Sequence, residues 1–289
     1  MDAFAERRWT SKDGLSLYAR DYAGADGPPR LPVICLHGLT RNSRDFEEAA
    51  PWIAGLGRRV IVPDVRGRGE SDRDPHPLNY VPKTYVRDVL GMLDAFGIRR
   101  AIFVGTSMGG IITLMLAGAR RSAVAGAILN DVGPEVSPAG IKRLLTYVGQ
   151  APSVTSWAEA ADYSRQINEL AFPGHDDDEW ARFARRTFRD DGGTPELDYD
   201  PAIMVPFAQG RYKSPKWLAW LLFRRLVKTA PTLLVRGATS DILSAEIAEK
   251  MKASAPALQT VVVPGIGHAP MLTEPAAMAA IEGFLRELA

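Results

Sequence analysis

The sequence Gly105-Thr106-Ser107-Met108-Gly109 follows directly on an apolar run at positions 101–104, and an apolar helix pattern begins immediately after it. A Gly-x-Ser-x-Gly pattern between a buried strand and a helix predicts a sharp turn from which the Ser107 hydroxyl projects at the end of a sheet. We expect both glycines to be required, because a Cβ at either position would collide with the neighbouring strand or helix. This context predicts a nucleophilic serine, although the pattern alone also fits an ordinary glycine-rich turn.

A serine hydroxyl is a poor nucleophile unless a base lies within hydrogen-bond reach, and histidine is the usual base. His268 follows a strand pattern at positions 261–263 and a Gly/Pro loop. This places it at the carboxyl end of a strand, where open α/β sheets carry their sites. His76 and His175 lie in polar segments and are expected to be solvated. His268 is therefore the predicted base.

The base needs an acid to orient it, and three carboxylates end strand patterns. Asp241 follows the strand at positions 232–237 and keeps the chain order Ser, Asp, His, so it is our first choice. Asp131 follows the strand at positions 126–129 and could also reach a histidine from there. Asp64 precedes the serine and breaks the order. The sequence favours Asp241 and leaves Asp131 open.

Taken together, these motifs resemble the α/β-hydrolase fold family of the lid-bearing kind, from about Leu15 to Leu288. The resemblance implies that Ser107, Asp241 and His268 are nucleophile, acid and base, and that the backbone N–H groups of Leu39 and Met108 form the oxyanion hole. Five ordered motifs carry it: His37-Gly38, the stretch from Asp64 to Asp72, Gly105 to Gly110, Gly237 with Asp241, and Gly267-His268-Ala269-Pro270.

Departures from the family pattern narrow the expected chemistry. Ser107 is not an aspartate, which argues against the dehalogenase and epoxide-hydrolase branches. Ala269 and Thr106 replace residues typical of the branch that cleaves carbon–carbon bonds, and so count against that activity. The expected enzyme is a serine hydrolase that acts on a small ester, thioester or lactone. A C–C hydrolase, a cofactor-free perhydrolase and a non-catalytic ligand-binding member remain alternatives.

The order of strand and helix patterns predicts the architecture. Two short alternating segments predict an antiparallel opening hairpin, and alternating strands and helices then predict a mostly parallel α/β sheet with helices on both faces. Between about 132 and 229 the strand patterns stop and apolar residues recur at helical spacing. We therefore expect a hydrolase core formed by residues 1–131 and 230–289, with a helical lid inserted over residues 132–229.

The substrate pocket is the least defined part of this prediction. His37 ends a strand and precedes Gly38, so its imidazole is expected to support a tight loop and is also a candidate pocket residue. Phe207 and Trp217 lie in the predicted lid, where apolar side chains can meet a ligand. The acidic run at positions 176–179 is expected to open a helix rather than bind a metal.

The amino-acid composition mainly indicates which partners and cellular locations are not expected. The chain has 35 basic and 34 acidic residues and a net charge of +1, so nucleic acid and anionic membranes are not expected partners. Its start has no apolar signal segment, and no apolar run approaches the roughly 20 residues that span a bilayer. We expect a cytoplasmic enzyme that uses no cofactor or metal and acts on a small acyl substrate.

Overall fold

An eight-stranded sheet organises the fold. The computed structural model describes residues 4–28, 30–150, 152–211 and 215–288. The strands of the sheet, in chain order, are β1 (Ala5–Thr10), β2 (Ser16–Tyr22), β3 (Val33–Leu36), β4 (Val60–Pro63), β5 (Ala101–Thr106), β6 (Val124–Asn130), β9 (Thr232–Gly237) and β10 (Gln259–Val263). Strands β7 (Phe188–Asp191) and β8 (Thr194–Leu197) form a separate antiparallel hairpin.

The spatial order of the strands is β1-β2-β4-β3-β5-β6-β9-β10. β1 pairs antiparallel with β2, and β2 pairs antiparallel with β4, which confirms the predicted opening hairpin. The other neighbours are parallel. The carboxyl ends of β3, β5, β6, β9 and β10 therefore meet at one edge, which is the edge where the predicted site residues follow their strands.

Helices cover both faces of the sheet. They are α1 (Ala49–Gly55), α2 (Pro82–Ala95), α3 (Met108–Ala119), α4 (Pro138–Leu144), α5 (Trp157–Asn168), α6 (Asp177–Thr187), α7 (Val205–Ala208), α8 (Lys216–Thr229), α9 (Ala245–Ser254) and α10 (Pro275–Arg286). One apolar core lies between the sheet and α2, α3, α8 and α9, and a second lies between the sheet and α1 and α10.

The alternation of side chains along a strand explains the two cores. In β3, Ile34 and Leu36 belong to the first core, whereas Val33 and Cys35 belong to the second. All four side chains are fully buried, as expected for a parallel strand that is covered on both faces. The predicted α/β architecture with a mostly parallel sheet is confirmed.

The chain between β6 and β9 carries α4 to α8 and the β7–β8 hairpin. Its helices agree with the helical spacing of apolar residues in the sequence, whereas the hairpin was not predicted; Gly192 and Gly193, both with positive φ, form its turn. Helix α8 packs against α3, and its Phe223 and Leu226 join the first core. None of the helices within the described ranges combines the length and the apolar character needed to cross a bilayer.

Candidate active site

Ser107 lies at the turn between β5 and α3 and has φ 51° and ψ −111°, a left-handed conformation that L-residues rarely adopt. The turn is tight enough to exclude side chains at its flanking glycines. A Cβ on Gly105 would lie 2.5 Å from backbone atoms of α3, and a Cβ on Gly109 would lie 2.0 Å from the carbonyl oxygen of Leu36. The predicted steric reason for both glycines is confirmed.

A continuous chain of hydrogen bonds joins three side chains at the carboxyl edge of the sheet. His268 Nε2 lies 2.9 Å from the Ser107 hydroxyl oxygen, and His268 Nδ1 lies 2.7 Å from Asp131 Oδ2. Ser107 follows β5, Asp131 follows the neighbouring strand β6, and His268 lies in the loop after β10. The structure brings Ser107 and His268 together as the sequence suggested.

The carboxylate bonded to His268 belongs to Asp131 and not to Asp241, which corrects our first choice. Asp131 is fully buried, and its carboxylate also accepts hydrogen bonds from the Gly237 backbone N–H at 3.0 Å and the Ser240 hydroxyl at 2.5 Å. The order Ser, Asp, His holds for both candidates. Chain order could therefore not distinguish them, whereas strand adjacency does, because β6 lies directly beside β5.

Asp241 instead forms an ion pair with Arg143 of α4. Arg143 Nε and Nη2 donate to the two oxygens of Asp241 at 2.6 and 3.0 Å. Burial acts to raise the pKa of Asp241, but the hydrogen bonds from the guanidinium outweigh it and hold this pKa below its usual value. Asp241 therefore ties the loop after β9 to the segment between β6 and β9.

Leu39 and Met108, whose backbone N–H groups were predicted to form the oxyanion hole, lie in the two segments next to the serine side chain. Met108 is the first residue of α3, and Leu39 follows β3, the neighbour of β5. Within the described residues neither N–H has a hydrogen-bond acceptor. A Cβ added to Gly38 would lie 4.0 Å from Ser107 Cβ, so the Leu39 loop is close to the serine side chain. Backbone donors without an acceptor beside a serine are the kind of groups that stabilise an oxyanion in acyl-transfer enzymes.

The cavity at Ser107 is small, with a volume of about 100 Å³. One wall comes from the sheet edge and includes Leu39, Ser107 and His268. The other comes from the segment between β6 and β9 and contains mostly apolar side chains: Leu144, Tyr147, Val148, Asn168, Phe172 and Phe183.

None of the three predicted pocket side chains lines this cavity. His37 is fully buried beneath it, where Nδ1 donates to the Gly38 carbonyl and Nε2 accepts from the Val65 N–H at 3.0 Å. Burial lowers the pKa of His37 to about 4, so this histidine is neutral and supports the loop. Phe207 is half-buried on α7, and Trp217 is 67% exposed on α8. Helical spacing indicates that these aromatic side chains lie on an apolar face of their helices. It does not indicate which part of the protein that face packs against.

Arg41 is a pocket residue that the sequence analysis missed. It lines the cavity, and its guanidinium lies 4.1 Å from the centre of the Phe183 ring. Nε donates to Asp45 at 2.7 Å and Nη1 donates to the Thr187 hydroxyl at 2.7 Å. The sequence signal that could have identified Arg41 is its position two residues after Leu39, a predicted oxyanion-hole residue.

Among the described residues, no group of three or more His, Cys, Asp or Glu side chains is arranged to hold a metal ion.

Comparisons with known proteins agree with this geometry. A model of the alpha/beta hydrolase family matches residues 33–281. The chain is 34% identical over 284 residues to a 3-hydroxybutyrate-oligomer hydrolase from Cupriavidus necator, covering 95% of this chain and 94% of that protein.

Solved structures give the same result. An alpha/beta hydrolase from Novosphingobium aromaticivorans is 44% identical and superposes with a TM-score of 0.93 over 100% of both chains. E-2-(acetamidomethylene)succinate hydrolase shares the fold at 24% identity, with a TM-score of 0.80 over 98% of this chain and 99% of that one. The chain thus belongs to the alpha/beta hydrolase family and is a hydrolase.

Proposed function

We propose that this hydrolase cleaves small carboxylic esters through an acyl-enzyme on Ser107. The hydrogen-bond chain from Ser107 through His268 to Asp131 is the observation that carries the proposal. In this arrangement a hydroxyl has a base within reach, and the base has a buried carboxylate to fix its tautomer. The left-handed backbone of Ser107 is consistent with a functional site that stores strain.

The proposed reaction proceeds in two balanced steps. Ser107 Oγ attacks the ester carbonyl while His268 Nε2 takes the hydroxyl proton, and collapse of the tetrahedral intermediate expels the alcohol with that proton. Water then attacks the acyl-enzyme, His268 again transfers the proton, and the carboxylic acid leaves. Asp131 holds the imidazole and stabilises its charged form throughout.

The backbone N–H groups of Leu39 and Met108 are the proposed oxyanion donors. Each would hydrogen-bond to the oxygen that becomes negative as Ser107 attacks. Loss of one such donor in other enzymes costs about 2.7–4 kcal/mol of transition-state stabilisation. Because both donors are backbone groups, they are fixed by the turns at the ends of β3 and β5 and do not depend on side-chain identity.

The substrate class that we favour is an ester of a short hydroxy acid, including linear oligomers of 3-hydroxybutyrate. Two observations support it: the cavity volume of about 100 Å³, which suits a short acyl unit, and the name of the relative that is 34% identical over nearly the whole chain. Lactones and thioesters of similar size are further candidates, because the same acyl-enzyme would serve them.

We also propose that the part of the segment between β6 and β9 that runs from α4 to α6 is a lid, whereas α8 packs against α3 and belongs to the core. Its side chains Leu144, Tyr147, Phe172 and Phe183 line the cavity on the side opposite the sheet edge. A cover of this kind would exclude bulk water from Ser107 and control substrate entry.

The test of the proposed function uses purified protein and a substrate panel. Ser107→Ala should lower kcat on p-nitrophenyl butyrate and on the 3-hydroxybutyrate trimer by more than about a thousandfold, because removal of a triad nucleophile has effects of that size or larger. The matched control is Ser122→Ala at an exposed serine, which should keep wild-type activity.

Two outcomes would contradict the assignment of Ser107 as the nucleophile. One is a folded Ser107→Ala enzyme that keeps more than about a hundredth of the wild-type rate. The other is failure of a fluorophosphonate probe to label Ser107, since this reagent requires an activated serine. Turnover of a dienoic diketone without turnover of any ester would move the assignment to C–C cleavage.

A further inference from the structure

A second cavity lies apart from the catalytic one and is considerably larger, with a volume of about 630 Å³. It is bounded by the start of α2, the first turns of α3, the loop at positions 133–136, Ile141 of α4 and the start of α8. The residues that line it include none of those that line the cavity at Ser107. Small-molecule sites typically occupy about 300–1,000 Å³, so this cavity has the size of a ligand site.

The wall of this second cavity is mostly aliphatic. Ile111, Leu114 and Met115 of α3 form one side, and Ile141 and Leu222 come from α4 and α8. Leu114 is buried, and the other four are half-buried rather than sealed in a core. Such a surface gains free energy when it contacts a flexible alkyl chain that displaces water.

Positive charges border the same cavity. Lys83, Arg211 and Lys216 contribute to its lining and are exposed. Lys216 Nζ donates to Glu135 at 2.9 Å, and Trp220 Nε1 also donates to Glu135, so the carboxylate of Glu135 is already engaged. In the part of the chain that the structure describes, the side chains of Lys83 and Arg211 have no ion-pair partner. Two cations therefore remain available to an anion.

The backbone adds a further positive feature. Helix α2, which is 14 residues long, begins at Pro82 after Val81 and has no side-chain cap. Among the described residues, no acceptor is hydrogen-bonded to the Lys83 N–H. Val81, Pro82 and Lys83 all line the cavity. An uncapped helix N-terminus favours a negative group, and here it coincides with the two cations that lack partners.

We propose that this cavity binds an aliphatic carboxylate, with the alkyl chain along α3 and the carboxylate at Lys83 and Arg211. The aliphatic wall and cationic border match the two ends of such a molecule. Its wall includes Ile111, four residues after Ser107 on α3, and Ile141, three residues before Leu144 of the catalytic cavity. The occupied site would thus contact α3, which begins directly after Ser107, and α4, which lines the catalytic cavity through Leu144.

The experiment measures decanoate binding to the full chain by isothermal titration calorimetry below its micelle concentration. Wild-type protein should bind decanoate, and decanol, which has the same chain but no charge, should bind more weakly. The combined change Lys83→Gln and Arg211→Gln should weaken decanoate binding roughly tenfold, as expected for two exposed charge contacts, and added salt should reduce the difference. The control change Lys12→Gln, at an exposed cation that does not line the cavity, should have no effect.

Two further arms locate the site. Met115→Trp should abolish decanoate binding by filling the cavity, while thermal unfolding and ester hydrolysis show that the variant is folded. Enzyme fully labelled at Ser107 by a short fluorophosphonate should still bind decanoate with wild-type affinity.

The proposal fails if decanoate does not bind, or if Met115→Trp leaves binding unchanged. It also fails if labelling of Ser107 blocks binding, because decanoate would then occupy the catalytic cavity. These outcomes do not depend on which substrate the enzyme hydrolyses, so they are distinct from failure of the proposed function.

Discussion

At the residue scale, Asp131 and Asp241 have different environments although both follow strands at the same edge. Asp131 is fully buried and bonded to His268, whereas Asp241 is paired with Arg143 and 35% of its side chain is exposed. We expect Asp131→Asn to lower kcat by about 10⁴, because an amide favours the wrong imidazole tautomer. Asp241→Asn should cost less than about tenfold, since it removes the ion pair with Arg143 and not the partner of His268. Steady-state kinetics on p-nitrophenyl butyrate measures both.

Circular dichroism of each variant separates a catalytic effect from unfolding. If Asp241→Asn proved the more damaging of two folded variants, Asp131 would lose its proposed role as the orienting acid.

Also at the residue scale, Gly109 and Gly283 provide a matched pair of helical glycines. A Cβ on Gly109 would lie 2.0 Å from the Leu36 carbonyl oxygen, whereas a Cβ on Gly283 meets nothing within 4 Å. Gly109→Ala should destabilise the protein by at least about 1–3 kcal/mol through overpacking and should displace Ser107. Gly283→Ala should raise the free energy of unfolding by roughly 0.5–1 kcal/mol, because alanine is the better helix former.

Urea denaturation measures both free energies of unfolding. Equal effects from the two changes would mean that contact between α3 and β3 does not require a glycine at position 109.

At the element scale, α4 contributes to the catalytic cavity through Leu144, while the next residue, Leu145, is 44% exposed and does not line it. Leu144→Ala should enlarge the cavity and shift preference toward longer acyl chains. The ratio of kcat/KM for p-nitrophenyl octanoate to that for the acetate should rise roughly tenfold, since one methylene in an apolar pocket is worth about 1–3 kcal/mol. Leu145→Ala is the control and should leave the ratio unchanged.

An unchanged ratio in Leu144→Ala would indicate that α4 does not limit the acyl chain. The proposal that residues of this segment cover the substrate would then lose its main support.

At the scale of the whole molecule, two buried groups give stability an opposing dependence on pH. Burial lowers the pKa of His37 to about 4 from 6.5. Between these two pH values, His37 is therefore neutral in the native state and protonated in the unfolded chain. Its contribution to stability is lost as pH falls from about 6.5 to about 4. Burial raises the pKa of Asp64 to about 6 from 3.8, so here the native state holds a proton that the unfolded chain releases. The contribution of Asp64 is lost as pH rises from about 4 to about 6.

Asp64→Asn should therefore leave only the pH dependence of the free energy of unfolding that is due to His37. Between pH 4.5 and 5.5, in the window where the two contributions overlap, the free energy of unfolding of the variant should rise with pH more steeply than that of the wild type. The difference should be roughly 1 kcal/mol per pH unit, because about one proton per molecule is involved. Urea denaturation at several pH values measures it, with Asp26→Asn at an exposed position as the control. Parallel curves for variant and wild type would contradict the opposing contributions.

The sequence by itself determined the features that depend on local backbone pattern. The strand, elbow and helix around Ser107 follow from the spacing of apolar residues and glycines, and His268 follows its strand in the same way. Both the α/β alternation and the parallel sheet edge depend on that periodicity, which is visible over a few residues. The β7–β8 hairpin was missed because its strands are four residues each and largely exposed.

Only the tertiary structure decided which side chains meet at the site. Asp131 and Asp241 both satisfy the chain order, and the choice between them depended on β6 lying beside β5 and on Arg143 reaching Asp241 from α4. Likewise, Phe207 and Trp217 share the apolar character of Phe172 and Phe183, yet only the latter pair lines the catalytic cavity. The physical reason is that a periodic pattern fixes which face of an element is apolar, whereas its partner across the fold is set by long-range packing.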